Sequence, residues 1–342
     1  MDTVRFVPAN GEVAGSLPLG DEELLAGYKA VARARHFDER AVVLQRQGRL
    51  GVYAPYRGQE AAQVGTAMAL APHDWLVPSY RESAAALTHG LPLSQLVLYW
   101  RAHAEGWRYP EDVRVLPFYI PIATQLPQAV GLAVAGRFHR EPWVVMAYVG
   151  DGGTSEGDFH EALNFAAVLR APVVFVVQNN GWAISVPTER QMANVRVADR
   201  ALGYGMPGVR VDGNDYVACL VTARTAVARA RAGDGPTLIE AVTYRLAPHT
   251  TSDDPHRYRD EVETARREAE EPLGRLRAVL SARGLWDVER ETAFMAELDE
   301  ELGAALAVAD ATPEPRAVSI VEHVFAEPWP DQRRAMEALD GA

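Results

Sequence analysis

The chain has 342 residues, 48% of them hydrophobic, which is enough to bury the core of one large α/β unit with appended helices. Its 46 acidic and 34 basic residues give a formal net charge of −12, which disfavours a chain that holds a polyanionic nucleic acid. The single cysteine excludes an internal disulfide and a zinc site built from cysteines.

The N-terminal segment contains Pro, Gly and Asn without periodicity, which predicts an extended or disordered arm over 1–20. It lacks the basic start and apolar core of a secretion signal, and no stretch of the chain approaches the roughly 20 apolar residues that span a bilayer. We therefore expect a soluble, cytoplasmic protein without a membrane partner.

Two helices are predicted in the next part of the chain. The acidic residues Asp21, Glu22 and Glu23 precede apolar residues at helical spacing that continue towards Leu44, which predicts a capped amphipathic helix. Gln59–Leu70 predicts a second helix.

The middle of the chain is a run of βαβ units. Val144–Val149 and Val173–Val177 are short, continuously apolar strands, and Phe159–Leu169 is a helix between them. Strands without polar alternation are buried on both faces. The predicted fold class is therefore α/β, with a parallel sheet covered by helices on both faces and further helices at the N- and C-terminal sides.

The last part of the chain predicts a helix, a strand and then mostly helix. Val217–Ala232 is helical and contains Cys219 among apolar neighbours, so this cysteine is expected to be a small buried hydrophobe. Thr237–Tyr244 is a strand. After Arg259 the chain is charged and helical, with a break at Thr312–Pro315.

The glycine-rich stretch 150–153, Gly-Asp-Gly-Gly, is the strongest local signal. It follows the first apolar strand and precedes a helix, a place where backbone N–H groups bind phosphate. Asp151 would lie against the phosphates, so it needs a cation, and Mg²⁺ commonly bridges carboxylates and phosphates in this way. Taken alone, such a stretch is also typical of a simple β-to-α turn.

A second polar stretch, Gln178-Asn179-Asn180, follows the next strand. Residues 153–178 lie between Gly152 and Asn179, which is enough chain for one helix and one strand. Gly-Asp-Gly, a gap of this size and Asn-Asn together resemble the thiamine diphosphate motif. The resemblance implies that Asp151, Asn180 and the backbone carbonyl of Trp182 hold the metal.

Further motifs resemble the alpha subunit of heterotetrameric 2-oxo acid dehydrogenases, over about residues 21–329. The resemblance implies one cofactor-binding domain over that range, between the arm 1–20 and a C-terminal tail, 330–342. The motifs are Phe37-Asp38-Glu39-Arg40, Gln45–Gly51, Tyr53-Ala54-Pro55, Gly58-Gln59-Glu60-Ala61, Tyr80-Arg81-Glu82, Asn179–Ser185, Val211–Asp215 and Pro248-His249-Thr250.

The resemblance also implies partners and chemistry. The cofactors are thiamine diphosphate, which acts as an electron sink, and Mg²⁺. A beta subunit supplies the activating glutamate in a heterotetramer of two alpha and two beta chains. The acyl group passes to the lipoyl domain of a dihydrolipoyl acyltransferase. The substrate is a small 2-oxo acid, and nucleic acid is not a partner.

Site residues follow from the same resemblance. Tyr80 and Arg81 would contact the diphosphate, while Ile122, with Ile120 nearby, would form a wedge behind the bent cofactor. The amides of Gly152 and Gly153 would cradle the phosphates. Gln178 stands where some relatives use arginine, so its phosphate contact would be weaker and uncharged. Outside this motif, Tyr80 and Ile122 would be read as packing residues, and Arg81 as half of a structural ion pair.

His249 is the candidate catalytic residue, because in the resembling family this histidine reaches the cofactor and assists acyl transfer. With an ordinary pKa it would donate or accept a proton at neutral pH; the alternative is a solvent-exposed loop histidine. The surrounding segment, Arg245–Arg259, disfavours regular structure and is expected to order over the bound cofactor.

The substrate is less well defined by the sequence. The loop Glu105–Pro110 departs from the family pattern. Pro110–Pro117 and Gln178 resemble bacterial pyruvate enzymes, whereas Thr251–Asp254 resembles branched-chain enzymes. Branched-chain enzymes commonly have a serine where Ile120 stands, so this position departs from them. Pyruvate dehydrogenase is the main interpretation. The alternatives are a branched-chain (2-oxoisovalerate) or acetoin dehydrogenase alpha subunit, a transketolase-like enzyme and a non-catalytic scaffold subunit.

Overall fold

The computed structural model describes residues 2–13, 15–322 and 324–340. Parts of the expected arm and of the expected C-terminal tail, including residues 341–342, therefore lie outside the described residues. No helix in the described ranges combines the length and apolar character needed to cross a bilayer.

The helices of the described chain are α1 (Asp21–Arg46), α2 (Glu60–Ala67), α3 (Ser83–Thr88), α4 (Leu93–Trp100), α5 (Gln125–His139), α6 (Gly157–Val168), α7 (Thr188–Gln191), α8 (Tyr216–Arg231), α9 (Glu261–Glu268), α10 (Pro272–Ala282), α11 (Val288–Ala311), α12 (Ser319–Glu322) and α13 (Pro330–Asp340). The strands are β1 (Trp75–Val77), β2 (Val145–Gly150), β3 (Val173–Asn179), β4 (Trp182–Ala183), β5 (Val186–Pro187), β6 (Gly208–Asp212) and β7 (Thr237–Val242). Short 3₁₀ turns occupy Ala104–Trp107, Gly152–Ser155, Val197–Tyr204 and Pro255–Arg257.

The central sheet is parallel throughout, with the strand order β1-β2-β3-β7-β6. Successive side chains of β2 and β3 point to opposite faces, so Met146 and Val174 join one hydrophobic cluster with α2 and α8. Val145 and Val173 join a second cluster with α5 and α6 on the other face. The α/β class with helices on both faces is confirmed, and so are the additional helices before and after the sheet.

The sheet register places the two polar stretches side by side. Gly150, the last residue of β2, pairs with Gln178 near the end of β3. The carboxyl ends of adjacent parallel strands lie at the same edge, and a ligand of an open α/β sheet binds there. The order of elements therefore brings Asp151 and Asn180 together.

Hydrogen bonds fix the ends of several elements. Glu23 accepts from the Gly20 N–H at 3.1 Å, where α1 begins. Asp215 caps α8 by accepting from the Ala218 N–H at 3.1 Å. Cys219 on α8 is fully buried in the core, as its apolar neighbours predict.

The first and last described segments of the chain form specific contacts. Val4 pairs with Val211 of β6, and the N–H groups of Phe6 and Val7 donate to Asp215 at 2.6 and 2.7 Å, so the N-terminal segment packs onto the sheet edge. At the other end, α13 occupies the range expected to be a tail, and it packs against α12.

Candidate active site

A cavity of about 660 Å³ lies beyond the carboxyl ends of β2 and β3. All the residues predicted to bind the cofactor or metal, or to act in catalysis, line it. They are Tyr80, Arg81, Ile120, Ile122, Asp151, Gly152, Gly153, Gln178, Asn180, Trp182 and His249. Residues from five separate parts of the sequence thus converge on one space.

Asp151 lies directly after β2 and is fully buried. Its carboxylate accepts from neutral groups, the Thr188 hydroxyl at 2.9 Å and the Asn180 N–H at 3.4 Å. Burial raises the pKa of Asp151, whereas these hydrogen bonds lower it. A buried carboxylate held only by neutral donors is stabilised by a cation at its side.

Asn180 supplies the second oxygen of the predicted metal set. Its Nδ2 group donates to Gln59 Oε1 at 3.1 Å, so its Oδ1 atom, which accepts from the Trp182 N–H at 3.1 Å, is turned to the other side. One carboxylate, one amide oxygen and one backbone carbonyl are hard oxygen ligands that suit Mg²⁺. This set contains only one acidic side chain. The described residues accordingly include no cluster of three His, Cys, Asp or Glu side chains.

The glycines after Asp151 allow close packing around the turn. A Cβ atom on Gly153 would lie 2.5 Å from Val149 Cγ2 and 3.0 Å from Ile122 Cγ2. A Cβ atom on Gly152 would lie 2.9 Å from Ala183 Cβ. Larger residues at these two positions would displace the cavity wall.

Two buried arginines give the cavity a positive side. Arg81 Nη2 and Arg245 Nη1 lie 3.0 and 3.4 Å from His249 Nδ1. Their other contacts are neutral oxygens, such as Pro55 O for Arg81 and Ile184 O for Arg245. Burial, followed by the nearby guanidinium of Arg81, lowers the pKa of Arg245 to about 10. Two guanidiniums held together without a carboxylate between them favour a bound anion.

His249 is neutral in this setting. Burial, then the charges of Arg81 and Arg245, lower its pKa to about 4, so the expected ordinary pKa is wrong for this structure. Because Nδ1 accepts from the arginines, the remaining proton is carried by Nε2. The His249 N–H donates to Asp253 at 2.8 Å, and the Tyr80 ring packs edge-on with a centroid distance of 6.1 Å.

Gln178 contacts a buried acid that also lines the cavity. Its Nε2 group donates to Glu82 Oε1 at 2.5 Å, and the Ser79 N–H donates to Glu82 Oε2 at 2.7 Å. Burial raises the pKa of Glu82 to about 7. The Gln178 Oε1 atom is buried and has no hydrogen-bond partner among the described residues.

Glu82, Gln59 and Gln191 were not identified as site residues from the sequence. Glu82 and Gln59 line the cavity and stand in motifs that resemble the family, so their position next to Arg81 and Gly58 was the available signal. Arg245 also lines the cavity, and it lies in the segment 245–259 that was expected to order over the cofactor. Gln191 Nε2 donates to the backbone oxygens of Asp151 at 3.0 Å and Gly152 at 3.2 Å. Its position in the short helix α7 carries no signal in the sequence.

The rim of the cavity is apolar and exposed. Val52, Ile120, Ile122 and Ile184 all line the cavity, and between 39% and 65% of each residue is accessible to solvent. Ile184 also has a φ of 56°, a left-handed conformation that is strained for a β-branched residue. Large exposed apolar clusters at a polar site are typical of a surface that another chain covers.

The segment Arg245–Arg259 contributes Arg245, His249 and Thr250 to the cavity lining. It has no α or β structure, apart from a short 3₁₀ turn. Tyr258 donates to Asp253 at 2.5 Å, and Arg259 Nη1 donates to Leu246 O at 3.0 Å. The second of these bonds joins the two ends of the segment, and the first ties its middle to its C-terminal end. Its ordering over a bound cofactor stays a prediction.

Known proteins resemble this chain over most of its length. Residues 28–318 match the sequence model of the family described as "Dehydrogenase E1 component". The chain is 51% identical over 273 residues to the 3-methyl-2-oxobutanoate dehydrogenase subunit alpha of Mycobacterium tuberculosis (strain CDC 1551 / Oshkosh), which covers 80% of this chain and 74% of the relative. It is 41% identical over 328 residues to the pyruvate dehydrogenase E1 component subunit alpha of Staphylococcus aureus (strain Mu50 / ATCC 700699), which covers 95% and 89%.

Proposed function

The chain belongs to the dehydrogenase E1 component family, and from that premise we propose that it is the alpha subunit of a thiamine-diphosphate- and Mg²⁺-dependent 2-oxo acid dehydrogenase. Membership makes it a component of an oxidoreductase. The observation that carries the proposal is that one cavity is lined both by the oxygen-bearing side chains of Asp151 and Asn180 and by the guanidiniums of Arg81 and Arg245.

The residues present fit this cofactor. Asp151, Asn180 Oδ1 and the Trp182 carbonyl would hold Mg²⁺, and Arg81 and Arg245 would hold the diphosphate. Two buried N–H donors support an anion, since Arg245 Nε and Gln59 Nε2 lack acceptors within the described parts of the chain.

The remaining predicted residues would shape the binding space. Tyr80 would contact the diphosphate, Gly152 and Gly153 would cradle it, and Ile122 and Ile120 would support the bent cofactor. When bound, thiamine diphosphate supplies the electron sink for loss of CO₂ from a 2-oxo acid. The chain's own part is to orient the cofactor and to keep a proton on His249 Nε2.

A beta chain is the proposed partner, because the apolar rim formed by Val52, Ile120, Ile122 and Ile184 would be covered by it. The described cavity residues include Glu82 and Glu156 as carboxylates beside Asp151, and the resemblance assigns neither of them the activating role. We propose that the beta chain supplies that glutamate in an assembly of two alpha and two beta chains, and that the acyl group passes to a lipoyl domain.

We predict that the purified chain alone decarboxylates 2-oxo acids at least about 100-fold more slowly than its mixture with the beta chain, since general acid–base activation is worth 10²–10⁴ in rate. The measurement is substrate-dependent reduction of an artificial electron acceptor. Equal rates with and without the beta chain would instead indicate a transketolase-like enzyme. An assembly that binds no thiamine diphosphate would indicate a non-catalytic scaffold.

For the substrate we propose 3-methyl-2-oxobutanoate, with pyruvate as the second candidate. The relative with 51% identity carries the first name, whereas the relative aligned over 95% of this chain carries the second. Val52, Tyr99 and Trp100 give the cavity an apolar wall suited to a branched side chain.

We expect the assembled enzyme to use 3-methyl-2-oxobutanoate with a kcat/KM about 10-fold or more above that for pyruvate, because each added methyl group in an apolar pocket contributes roughly 1–3 kcal/mol. Steady-state kinetics with both acids and with acetoin provide the measurement. A higher kcat/KM for pyruvate would support the second candidate, and activity with acetoin alone would contradict both.

A further inference from the structure

Glu82 has no role in the proposed function, although it lines the cavity beside Gln178. Both side chains are almost fully buried, at 1% exposure each. The Gln178 Nε2 group donates to Glu82 Oε1 at 2.5 Å, while Glu82 Oε2 accepts from the Ser79 N–H at 2.7 Å. The acid therefore fixes the orientation of the Gln178 amide.

That orientation is unfavourable for holding an anion. One of the two N–H donors on Gln178 Nε2 is bonded to Glu82, which holds the donor side of the amide against the acid, and the Oε1 atom is buried without a partner among the described residues. A phosphate accepts hydrogen bonds, so it needs the N–H side of the amide. An ionised Glu82 can only accept, whereas a protonated Glu82 can donate to Oε1 and release Nε2.

We propose that Glu82 is a positioning residue that takes up a proton when a diphosphate binds, and thereby turns the Gln178 amide so that Nε2 faces the anion. The inference rests on the proposed function, because the anion is the diphosphate of thiamine diphosphate. It adds to that function a coupling between cofactor binding and proton uptake at a defined carboxyl group.

The surroundings of Glu82 permit this proton transfer. Arg81, the neighbouring cation, directs its guanidinium to Pro55 O at 2.5 Å and to His249, so it forms no ion pair with Glu82. Tyr148 is a further titratable group, whose pKa is raised by burial and by the charge of Glu82. The Gln63 amide donates to Arg81 O at 3.2 Å and so holds the backbone next to Glu82.

The direction of the pH dependence follows from these groups. Burial is the main cause that raises the pKa of Glu82 to about 7. The protonated form is the one that binds, so cofactor affinity is highest below that pH and falls as the pH rises, by up to about tenfold per pH unit. A diphosphate placed nearby raises the pKa further, because a negative charge disfavours a carboxylate.

The test is isothermal titration of the alpha–beta assembly with thiamine diphosphate in excess MgCl₂ at about pH 8. Repeating the titration in buffers of different ionisation enthalpy gives the number of protons taken up on binding. Wild type should take up close to one more proton per site than Glu82→Gln. The cofactor's own ionisation contributes equally to both and cancels. Because glutamine can donate to Gln178 Oε1 at every pH, the affinity of this variant should also lose the added decline above about pH 7.

Two further variants isolate the pair. Glu156→Gln removes an exposed carboxyl group at the edge of the same cavity and should show the same proton uptake as wild type. Gln178→Met removes the amide, and its effect on affinity should be strongly non-additive with that of Glu82→Gln, since residues in contact are coupled. Additive effects of the two substitutions would argue against an amide that Glu82 positions.

Failure of the proposed function and failure of the proposed role of Glu82 would give different results. If wild type does not bind thiamine diphosphate, the proposed function is wrong. If wild type binds it but takes up no more protons than Glu82→Gln, the role of Glu82 is wrong. Should Glu82→Gln fail to assemble, infrared difference spectra of the wild-type assembly decide: a protonated-carboxyl band is expected on cofactor addition, and its absence would overturn the inference.

Discussion

Replacing Asp151 or Asn180 with alanine is expected to abolish Mg²⁺-dependent binding of thiamine diphosphate while leaving the fold intact. Each change removes a proposed metal oxygen from the same cavity wall. Loss of a group that merely supports a metal ligand costs about 10–100-fold in affinity, so loss of a ligand itself should cost more than about 100-fold. Isothermal titration of the alpha–beta assembly measures the effect.

The fold should survive because Asp151 is held by neutral donors rather than by an ion pair. Removing a buried carboxylate also removes its desolvation penalty, so the cofactor-free Asp151→Asn assembly should melt at the wild-type temperature or above. Only wild type should gain stability when cofactor and Mg²⁺ are added. Asp158→Ala, an acid on α6 outside the cavity lining, is the control and should bind normally. Wild-type affinity in Asp151→Ala would contradict the proposed metal site.

The location of the site could be predicted because it depends on a local pattern and on sheet geometry. The valine-rich runs in β2 and β3 lack polar alternation, which indicates buried parallel strands. Parallel neighbours end at the same edge, so Gly150–Gly153 and Gln178–Asn180 had to meet once both strands were recognised. Family resemblance then supplied the residues from distant parts of the chain.

Other elements carry too little local information. Strand β1 has only three residues at the sheet edge, too few to show a period, and it forms because β2 lies beside it. In strand β6, buried and half-buried residues do not alternate regularly, because only part of the strand is covered. The pairing of Glu82 with Gln178 depends on burial and on neighbours 96 positions away, which no local pattern encodes.

The pKa of His249 also could not be predicted from the local sequence, and it determines when this side chain can exchange a proton. A histidine in a polar loop is expected to titrate near neutrality. Here burial, Arg81 and Arg245 hold the pKa at about 4, so the cofactor-free side chain stays neutral from about pH 5 upwards, with its proton on Nε2. A diphosphate bound to the two arginines would offset their charge and raise the pKa towards its ordinary value. Cofactor binding would therefore make His249 better able to exchange a proton.

We accordingly predict that His249→Ala leaves thiamine diphosphate affinity within about tenfold of wild type, because Asp151 and Asn180 remain, but lowers acylation of the lipoyl domain by about 10²-fold or more. The comparison uses titration for binding and lipoyl acylation by the alpha–beta assembly for chemistry. His160→Ala, an exposed histidine on α6, should leave both unchanged. Loss of binding and acylation by the same factor would mean that His249 only supports Arg81 and Arg245, whose contacts it accepts at 3.0 and 3.4 Å. Near-normal acylation would exclude His249 from the transfer, because a group that exchanges a proton in that step cannot be removed without slowing it.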